Sequence, residues 1–175
     1  VGPIGPNSAA TLAGMSYVPA PSVVPAAGAA ATVTAPGNGA PPVGAPPPQS
    51  KSSQLIDAIN WAVAENERQG SKYYHRLDTS KIAVMGQSCG GVQAIEASAD
   101  RRVTTSVIWN SGLFPAPSTM GGGKEMTKAD LKSFHAPVAY ISGDDEDVAF
   151  PNANDDFDKL PNVPAFRGYG RGVLH

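Results

Sequence analysis

The chain has 175 residues, a length that suits one domain or one domain with a tail. Its 13 basic and 15 acidic residues give a net charge of −2, and the first of them is Lys51. A near-neutral chain without a Lys/Arg cluster is a poor nucleic-acid binder, and no apolar run approaches the ~20 residues of a membrane-spanning helix. The single cysteine, Cys89, excludes an intrachain disulfide and a Cys-rich zinc site.

Residues 1–50 differ in composition from the rest of the chain, with 11 Pro, 12 Ala and 7 Gly and no charged residue. Proline removes amide donors and restricts the residue before it, so we expect an irregular segment, either on a surface or as a linker. It lacks the basic start and continuous apolar run of a signal peptide. Gly37-Asn38-Gly39 is a turn signal. The sequence leaves the compartment undetermined.

Ordinary globular sequence occupies residues 51–175. Ser52 and Ser53 are N-cap candidates for an amphipathic helix that ends at Gly70. The apolar run Ile82–Met85 then predicts a parallel strand that is buried on both faces. A small-residue helix is expected over Val92–Ala99.

Helix and strand patterns continue to alternate to the end of the chain. We expect further strands at 103–109, 137–141 and 163–166, a loop at 111–124, a short helix or turn at 128–134 and a helix at 152–160. This alternation predicts an α/β fold with a mainly parallel sheet and flanking helices.

The motif G-x-S-x-G occurs at residues 86–90 as GQSCG, between a predicted strand and a predicted helix. This context is that of a nucleophile elbow, in which a strained strand-to-helix turn exposes a serine hydroxyl. Gly86 and Gly90, two residues before and after the serine, are expected to keep Cβ atoms out of the way as strand and helix meet. Ser88 is then the nucleophile, and the Cys89 amide at the helix start is the expected oxyanion donor. Cys89 as nucleophile and a phosphate-binding turn are the alternatives, although no G-x-x-x-x-G-K-[ST] or G-x-G-x-x-G pattern is present.

A serine nucleophile needs a base and an orienting carboxylate, and elbows of this kind are followed in chain order by the acid and then the histidine. Only His175 comes late enough, after a Gly-rich stretch at 167–172 that we expect to be a loop following the last strand. We interpret His75 as solvated and His135 as structural. A terminal histidine without a role is the alternative for His175.

The acid is expected in the acidic loop at residues 143–148. Its four adjacent carboxylates repel one another, so most must be solvated while one turns inward. Asp147 precedes an apolar anchor and is the first choice, with Asp145 and Asp144 behind it. A calcium loop is the rival interpretation, although the full twelve-residue pattern with its terminal Glu is lacking.

Three stretches, GQSCGGVQAIEASAD, VTTSVIWNSGLF and YISGDDEDVAFPNANDDFDKLPNVPAF, resemble the α/β-hydrolase superfamily, and more closely serine esterases related to dienelactone hydrolases and polyester-cleaving lipases or cutinases. With QLIDAINWAVAEN they cover most of residues 54–175. The resemblance implies Ser88 as nucleophile, Asp147 as acid and His175 as base. Typical dienelactone hydrolases use a cysteine nucleophile, so Ser88 indicates the serine esterase branch.

Complete hydrolases of this type have several strands before the elbow, and a loop among them supplies the second oxyanion N–H. Here one helix and the Pro/Ala-rich segment precede it, so residues 51–175 are expected to be the C-terminal half of such a domain.

The expected activity is serine carboxylic-ester hydrolysis through an acyl-enzyme, on a small-molecule or polymeric ester and without a cofactor. An amidase or peptidase with the same residues is one alternative, and an inactive fragment that binds a partner or self-associates through an exposed strand edge is another. Trp109, Leu113 and Phe114 line either a substrate pocket or the core. The oligomeric state is open.

Overall fold

The computed structural model describes residues 50–175. The expectations for residues 1–49, the irregular uncharged segment and the turn at Gly37-Asn38-Gly39, lie outside the described part of the chain.

Four strands and three α-helices alternate along residues 50–175. In chain order they are α1 (Ser53–Glu67), β1 (Ile82–Gln87), α2 (Cys89–Ala97), β2 (Val103–Trp109), a short 3-10 helix (Lys128–Ser133), β3 (Val138–Gly143), α3 (Phe150–Asp158) and β4 (Ala165–Gly170). The strands form one sheet in the order β1-β2-β3-β4, and every neighbouring pair is parallel. The predicted α/β class with a parallel sheet is confirmed.

The parallel register aligns the carboxyl ends of β1, β2 and β3. Gln87 at the end of β1 lies beside Trp109, which in turn lies beside Ile141 of β3. Residues that follow these three strands are therefore brought to one edge of the sheet, the usual position of ligand sites in open α/β sheets.

The core lies on one face of the sheet, beneath α2, which packs on β1 and β2, and α3, which packs on β3. Ile95 of α2 is fully buried, as are Ile108 and Tyr140 on the facing side of β2 and β3. Burying side chains of this size from water contributes about 1.5–3 kcal/mol each. Alternate strand residues point to the opposite face, since the side-chain period of a strand is two.

The prediction that β1 is buried on both faces is wrong for the part of the molecule described. Val84 is buried, but its neighbours Ala83 and Met85 are exposed, and Met85 keeps 55% of its surface. Among the described strands β1 has a neighbour on one side only, and α2 packs on one face of it. An apolar run therefore did not indicate burial on both faces here.

Helix α1 begins at Ser53, one of the two predicted N-cap candidates, and ends at Glu67, three residues before Gly70, whose backbone is left-handed (φ 84°). Its apolar stripe is only partly covered, since Ile59 is buried while Leu55 and Val63 are half-buried. None of the helices within residues 50–175 is long and apolar enough to cross a membrane.

Several element boundaries differ from the sequence predictions, and α2 begins at Cys89, three residues before the predicted Val92. β4 runs through the Gly-rich residues to Gly170, so the stretch expected as a loop is mostly strand. α3 starts at Phe150 with Pro151 in its first turn, a position where the missing amide of proline is harmless. The loop at 111–124 contains no helix or strand, as predicted.

Candidate active site

Ser88 lies in a sharp turn between β1 and α2. Its backbone has φ 54° and ψ −122°, a combination that L-residues rarely adopt. Such a conformation costs on the order of 1–3 kcal/mol and persists only where the surroundings enforce it. The predicted strand–turn–helix context of the GQSCG motif is therefore present, with a strained serine at its apex.

The glycines around the turn serve different purposes from those predicted. A Cβ on Gly86 would overlap the backbone carbonyl of Gly90, so Gly86 is needed for the close approach of strand and helix. A Cβ on Gly90 would meet nothing within 4 Å. The second tight position is Gly91, where a Cβ would overlap the Ser111 side chain. The sequence prediction assigned that steric role to Gly90, which is wrong.

Residues at the end of the neighbouring strand β2 hold the Ser88 turn by hydrogen bonds. The Ser88 amide donates to the Trp109 carbonyl at 3.1 Å, and the Ser111 hydroxyl donates to the Ser88 carbonyl at 2.7 Å. Ser111 is buried. These two hydrogen bonds hold both backbone polar groups of the strained residue, and the role of Ser111 was missed in the sequence. Its position directly after a strand that neighbours the elbow was the available signal.

Asp147 is the buried carboxylate of the acidic loop, with 1% of its surface exposed. It accepts hydrogen bonds from the Ala149 amide at 2.9 Å, the Gly143 amide at 3.1 Å and Asn110 Nδ2 at 2.8 Å. Burial by itself raises the pKa of Asp147, but these donors and His175 outweigh it, so the pKa lies below its ordinary 3.8. Asp147 is therefore an anion at neutral pH.

The other acidic residues of this loop face elsewhere. Asp144 accepts the Gly172 amide at 2.6 Å and so fastens the segment that leads to His175. Asp145 and Glu146 are exposed. The expectation that one carboxylate turns inward while the rest remain near solvent agrees with this arrangement.

His175 bridges the serine and the aspartate. Its Nδ1 lies 3.0 Å from Asp147 Oδ1, and its Nε2 lies 2.8 Å from Ser88 Oγ. The imidazole side chain is 32% exposed, so it reaches solvent from beside the turn. The structure thus brings together the three side chains that the sequence singled out, from three different segments of the chain.

The side chains of the remaining candidates are not part of this hydrogen-bonded line, although Cys89 directly follows Ser88 in the chain. Cys89 is a free, exposed thiol at the first position of α2, where backbone amides have no partner within the helix. His75 is exposed and stacks on Tyr74, with ring centroids 3.9 Å apart. His135 contacts the carbonyls of Ser133 and Val103, each at 3.2 Å, and has a structural position.

Within residues 50–175, no group of three or more His, Cys, Asp or Glu side chains is arranged to hold a metal ion.

The three apolar residues that were considered as pocket lining differ in how far they are buried. Leu113 is 1% exposed and belongs to the core, Phe114 is half-buried, and Trp109 is 37% exposed beside the turn.

A second polar cluster supports the loop after β2 from behind. Asp156 of α3 is completely buried and accepts the Leu113 amide at 2.8 Å, the Tyr140 hydroxyl at 3.2 Å and Lys128 Nζ at 2.5 Å. Burial raises the pKa of Asp156 although Lys128 and the other donors act to lower it. The sequence contains no signal for this cluster beyond an acidic residue on an apolar helix face.

A parallel sheet with a strained serine between strand and helix at its carboxyl edge is the architecture of the α/β hydrolases. Residues 43–149 match the family described as "PETase: PET hydrolase-like". The chain belongs to this PET hydrolase-like family. The matched residues include Ser88 and Asp147 and end before His175.

Solved structures show the same fold at low sequence identity. An esterase domain from Rhodothermus marinus superposes with a TM-score of 0.53 at 12% identity, covering 72% of this chain and 60% of that one. A provisionally assigned dienelactone hydrolase from Klebsiella pneumoniae gives a TM-score of 0.51 at 18% identity, with 73% and 51% covered. The chain thus spans between about half and three fifths of these structures. The search of curated proteins returned no significant match.

Proposed function

We propose that this protein is a serine carboxylic-ester hydrolase in which Ser88 is the nucleophile, His175 the general base and Asp147 the residue that orients the imidazole. The observation that carries the proposal is the hydrogen-bonded line from Ser88 Oγ through both ring nitrogens of His175 to Asp147. Membership of the PET hydrolase-like family supports ester hydrolysis as the reaction.

The first half of the reaction forms an acyl-enzyme. For Nε2 to accept the Ser88 proton, Nδ1 of His175 must carry the ring hydrogen and donate it to Asp147. Ser88 Oγ bonds to the ester carbonyl carbon as its proton passes to Nε2, and the carbonyl oxygen becomes an oxyanion. The Cys89 amide, at the positive end of α2, donates to that oxyanion.

The second half releases the products. The bond to the alkoxy oxygen breaks, and the alcohol leaves with the proton from Nε2. Water then attacks the acyl carbon with His175 again as base, which yields the carboxylic acid and restores the Ser88 hydroxyl. These steps consume one water per ester and use no cofactor. In complete hydrolases a loop before the elbow strand supplies a second oxyanion N–H.

The substrate class we propose is a small-molecule or polymeric ester. The family's name points to an aromatic polyester, and the half-exposed Trp109 beside the turn is a suitable surface for an aromatic ring. Parallel assays with p-nitrophenyl esters and p-nitroanilides separate ester from amide hydrolysis. Turnover of anilides at the ester rate would favour the amidase alternative.

Labelling with a fluorophosphonate followed by intact-mass measurement tests the nucleophile. We expect one adduct on the folded chain and none on Ser88→Ala, because the reagent reacts with an activated serine. Cys89→Ser is the matched control and should still be labelled. An unlabelled wild-type chain would contradict the catalytic proposal, and an adduct that persists in Ser88→Ala would contradict the choice of nucleophile.

A second candidate function is binding or self-association without catalysis. The observation in its favour is the free edge of β1 among the described strands, together with Met85, which is 55% exposed. An unpaired strand edge is a template for another chain. A folded, associating chain that is never labelled by the fluorophosphonate would support this alternative over the hydrolase.

A further inference from the structure

Asn110 follows β2 directly and has an unusual backbone. Its φ is 39°, in the left-handed region that asparagine tolerates better than most side chains. Its amide donates to the Ile141 carbonyl of β3 at 2.8 Å. The residue is therefore fixed between the ends of two core strands, at the edge of the sheet where Ser88 and Asp147 meet.

The side chain of Asn110 points at the proposed acid. Nδ2 donates to Asp147 Oδ2 at 2.8 Å, and it makes a longer contact of 3.5 Å with the Leu174 carbonyl, which precedes His175. The Gly143 amide reaches the same carboxylate oxygen at 3.1 Å. Oδ1 is left to the Ala149 amide and to His175.

We propose that Asn110 is a positioning residue that fixes the Asp147 carboxylate, and through it the imidazole of His175, in line with Ser88. This inference rests on the proposed ester-hydrolase function. Trp109 and Ser111 hold the backbone of Ser88, so three consecutive residues at the end of β2 connect the nucleophile with the acid.

The physical reason lies in the exposed segment that carries His175. All of residues 171–175 are exposed, so the imidazole depends on rigid partners rather than on packing. A carboxylate whose second oxygen is held by a donor on a core strand cannot rotate away from the ring. A misplacement of about 1 Å in such a site can lower the rate about 100-fold.

The uncharged amide of Asn110 is also suited to hold the Asp147 carboxylate, because it donates a hydrogen bond without adding a charge. The charged or titratable groups close to Asp147 are His175, which faces it, and Asp144, which is occupied by the Gly172 amide. Asp145 and Glu146 are exposed. A carboxylate at position 110 would lie next to that of Asp147, and two ionised carboxylates so close together repel each other.

Two substitutions distinguish the effect of the Asn110 side-chain donor from that of its positive φ. Asn110→Gly removes the donor and tolerates the positive φ, whereas Asn110→Asp keeps the shape and replaces the donor with a carboxylate. Asn162→Gly and Asn162→Asp are matched controls in an exposed turn. All are made in the full chain, and the NMR spectrum of each variant establishes that it is folded.

The first measurement is the titration midpoint of the Asp147 carboxyl carbon by NMR, which needs no activity. The lost hydrogen bond should raise the midpoint in Asn110→Gly, and the added carboxylate should raise it further in Asn110→Asp, by on the order of one pH unit. The Asn162 variants should leave it unchanged. A midpoint that stays at the wild-type value in both Asn110 variants would overturn the inference.

The second measurement is steady-state hydrolysis of p-nitrophenyl acetate. We expect kcat to fall about 10–100-fold in Asn110→Gly while KM stays within about twofold, since alignment and not binding is lost. An unchanged kcat despite a shifted midpoint would refute the positioning role. If the wild-type chain shows neither turnover nor fluorophosphonate labelling, the proposed function fails, and the NMR midpoint still decides whether Asn110 holds Asp147.

Discussion

At the scale of single residues, Asp147 shows how a buried carboxylate is kept ionised. Four donors surround its two oxygens, and their combined effect on the pKa exceeds the opposite effect of burial. The folded protein therefore binds a proton at Asp147 less tightly than the unfolded chain does. By linkage this stabilises the fold above the unfolded-state pKa.

We predict that Asp147→Asn lowers the free energy of unfolding at pH 7 by about 1–3 kcal/mol, because an amide cannot accept from all four donors. The difference from wild type should shrink as the pH falls through the lowered pKa of Asp147, below 3.8, where the wild-type side chain is also neutral. Urea denaturation between pH 3 and 7 measures it, with Asp145→Asn as an exposed control. A pH-independent difference would contradict the prediction.

The two motif glycines of the elbow differ in what surrounds them. Gly86→Ala should destabilise the fold by several kcal/mol or prevent folding, since its Cβ has no room beside the Gly90 carbonyl. Gly90→Ala should be neutral or stabilise α2 by roughly 0.5–1 kcal/mol, because the position is open and helical. Thermal unfolding of the two variants tests this prediction, and an equal loss of stability in Gly86→Ala and Gly90→Ala would refute the steric explanation.

At the scale of elements, α3 is tied to the loop after β2 by a buried charge. Asp156 is 0% exposed and contacts Lys128, whereas Asp155, its neighbour, is half-exposed and contacts the same Lys128 at 2.9 Å. A buried ion pair is costly to break from one side because the partner is left uncompensated. The half-exposed pair of Asp155 and Lys128 contributes much less to the free energy of unfolding.

Asp156→Ala should therefore lower the free energy of unfolding by about 3–5 kcal/mol, because it leaves Lys128 and the Leu113 amide without their buried partner. Asp155→Ala removes a carboxylate from the same lysine and should cost at most about 1 kcal/mol. Chemical denaturation of both variants provides the comparison. If Asp155→Ala were the more damaging change, the burial of Asp156 would not be what stabilises this contact.

At the scale of the whole molecule, the two outer strands of the sheet within residues 50–175, β1 and β4, differ in the side chains along their edges. β1 carries no charge or proline along its length and exposes Met85, whereas β4 exposes Phe166 and Tyr169 but also carries the charged Arg167. Charged side chains on an edge discourage pairing with another chain. The described part of the chain, about half of the fold in its structural neighbours, thus exposes an edge suited to association.

We predict that the protein self-associates through the β1 edge and that Met85→Lys reduces this association. The added charge disfavours strand pairing at the β1 edge. Val148→Lys is the matched control, because Val148 is exposed to a similar extent (58%) but lies outside the sheet. Sedimentation velocity measures the outcome. A wild-type chain that remains monomeric, or an equal effect of both lysines, would rule out the β1 edge as the contact.

Much of the fold was predictable because its signals are local. The bounds of β2 and the position of α1 follow from an apolar run and from apolar residues at helical spacing. The end of β4 was missed because its glycines are typical of loops, while the pairing with β3 that makes them a strand is not local. The exposure of β1 was missed because an apolar run does not state how many neighbours a strand has.

For the site, the sequence alone determined the three candidate side chains Ser88, Asp147 and His175, because a serine motif, an acidic loop and a late histidine are each visible in chain order. Only the tertiary structure decided that they lie within hydrogen-bonding distance, since strand register brings residues from distant segments to one edge of the sheet. It also singled out Asn110 and Ser111, whose roles depend on contacts across that edge rather than on any pattern along the chain.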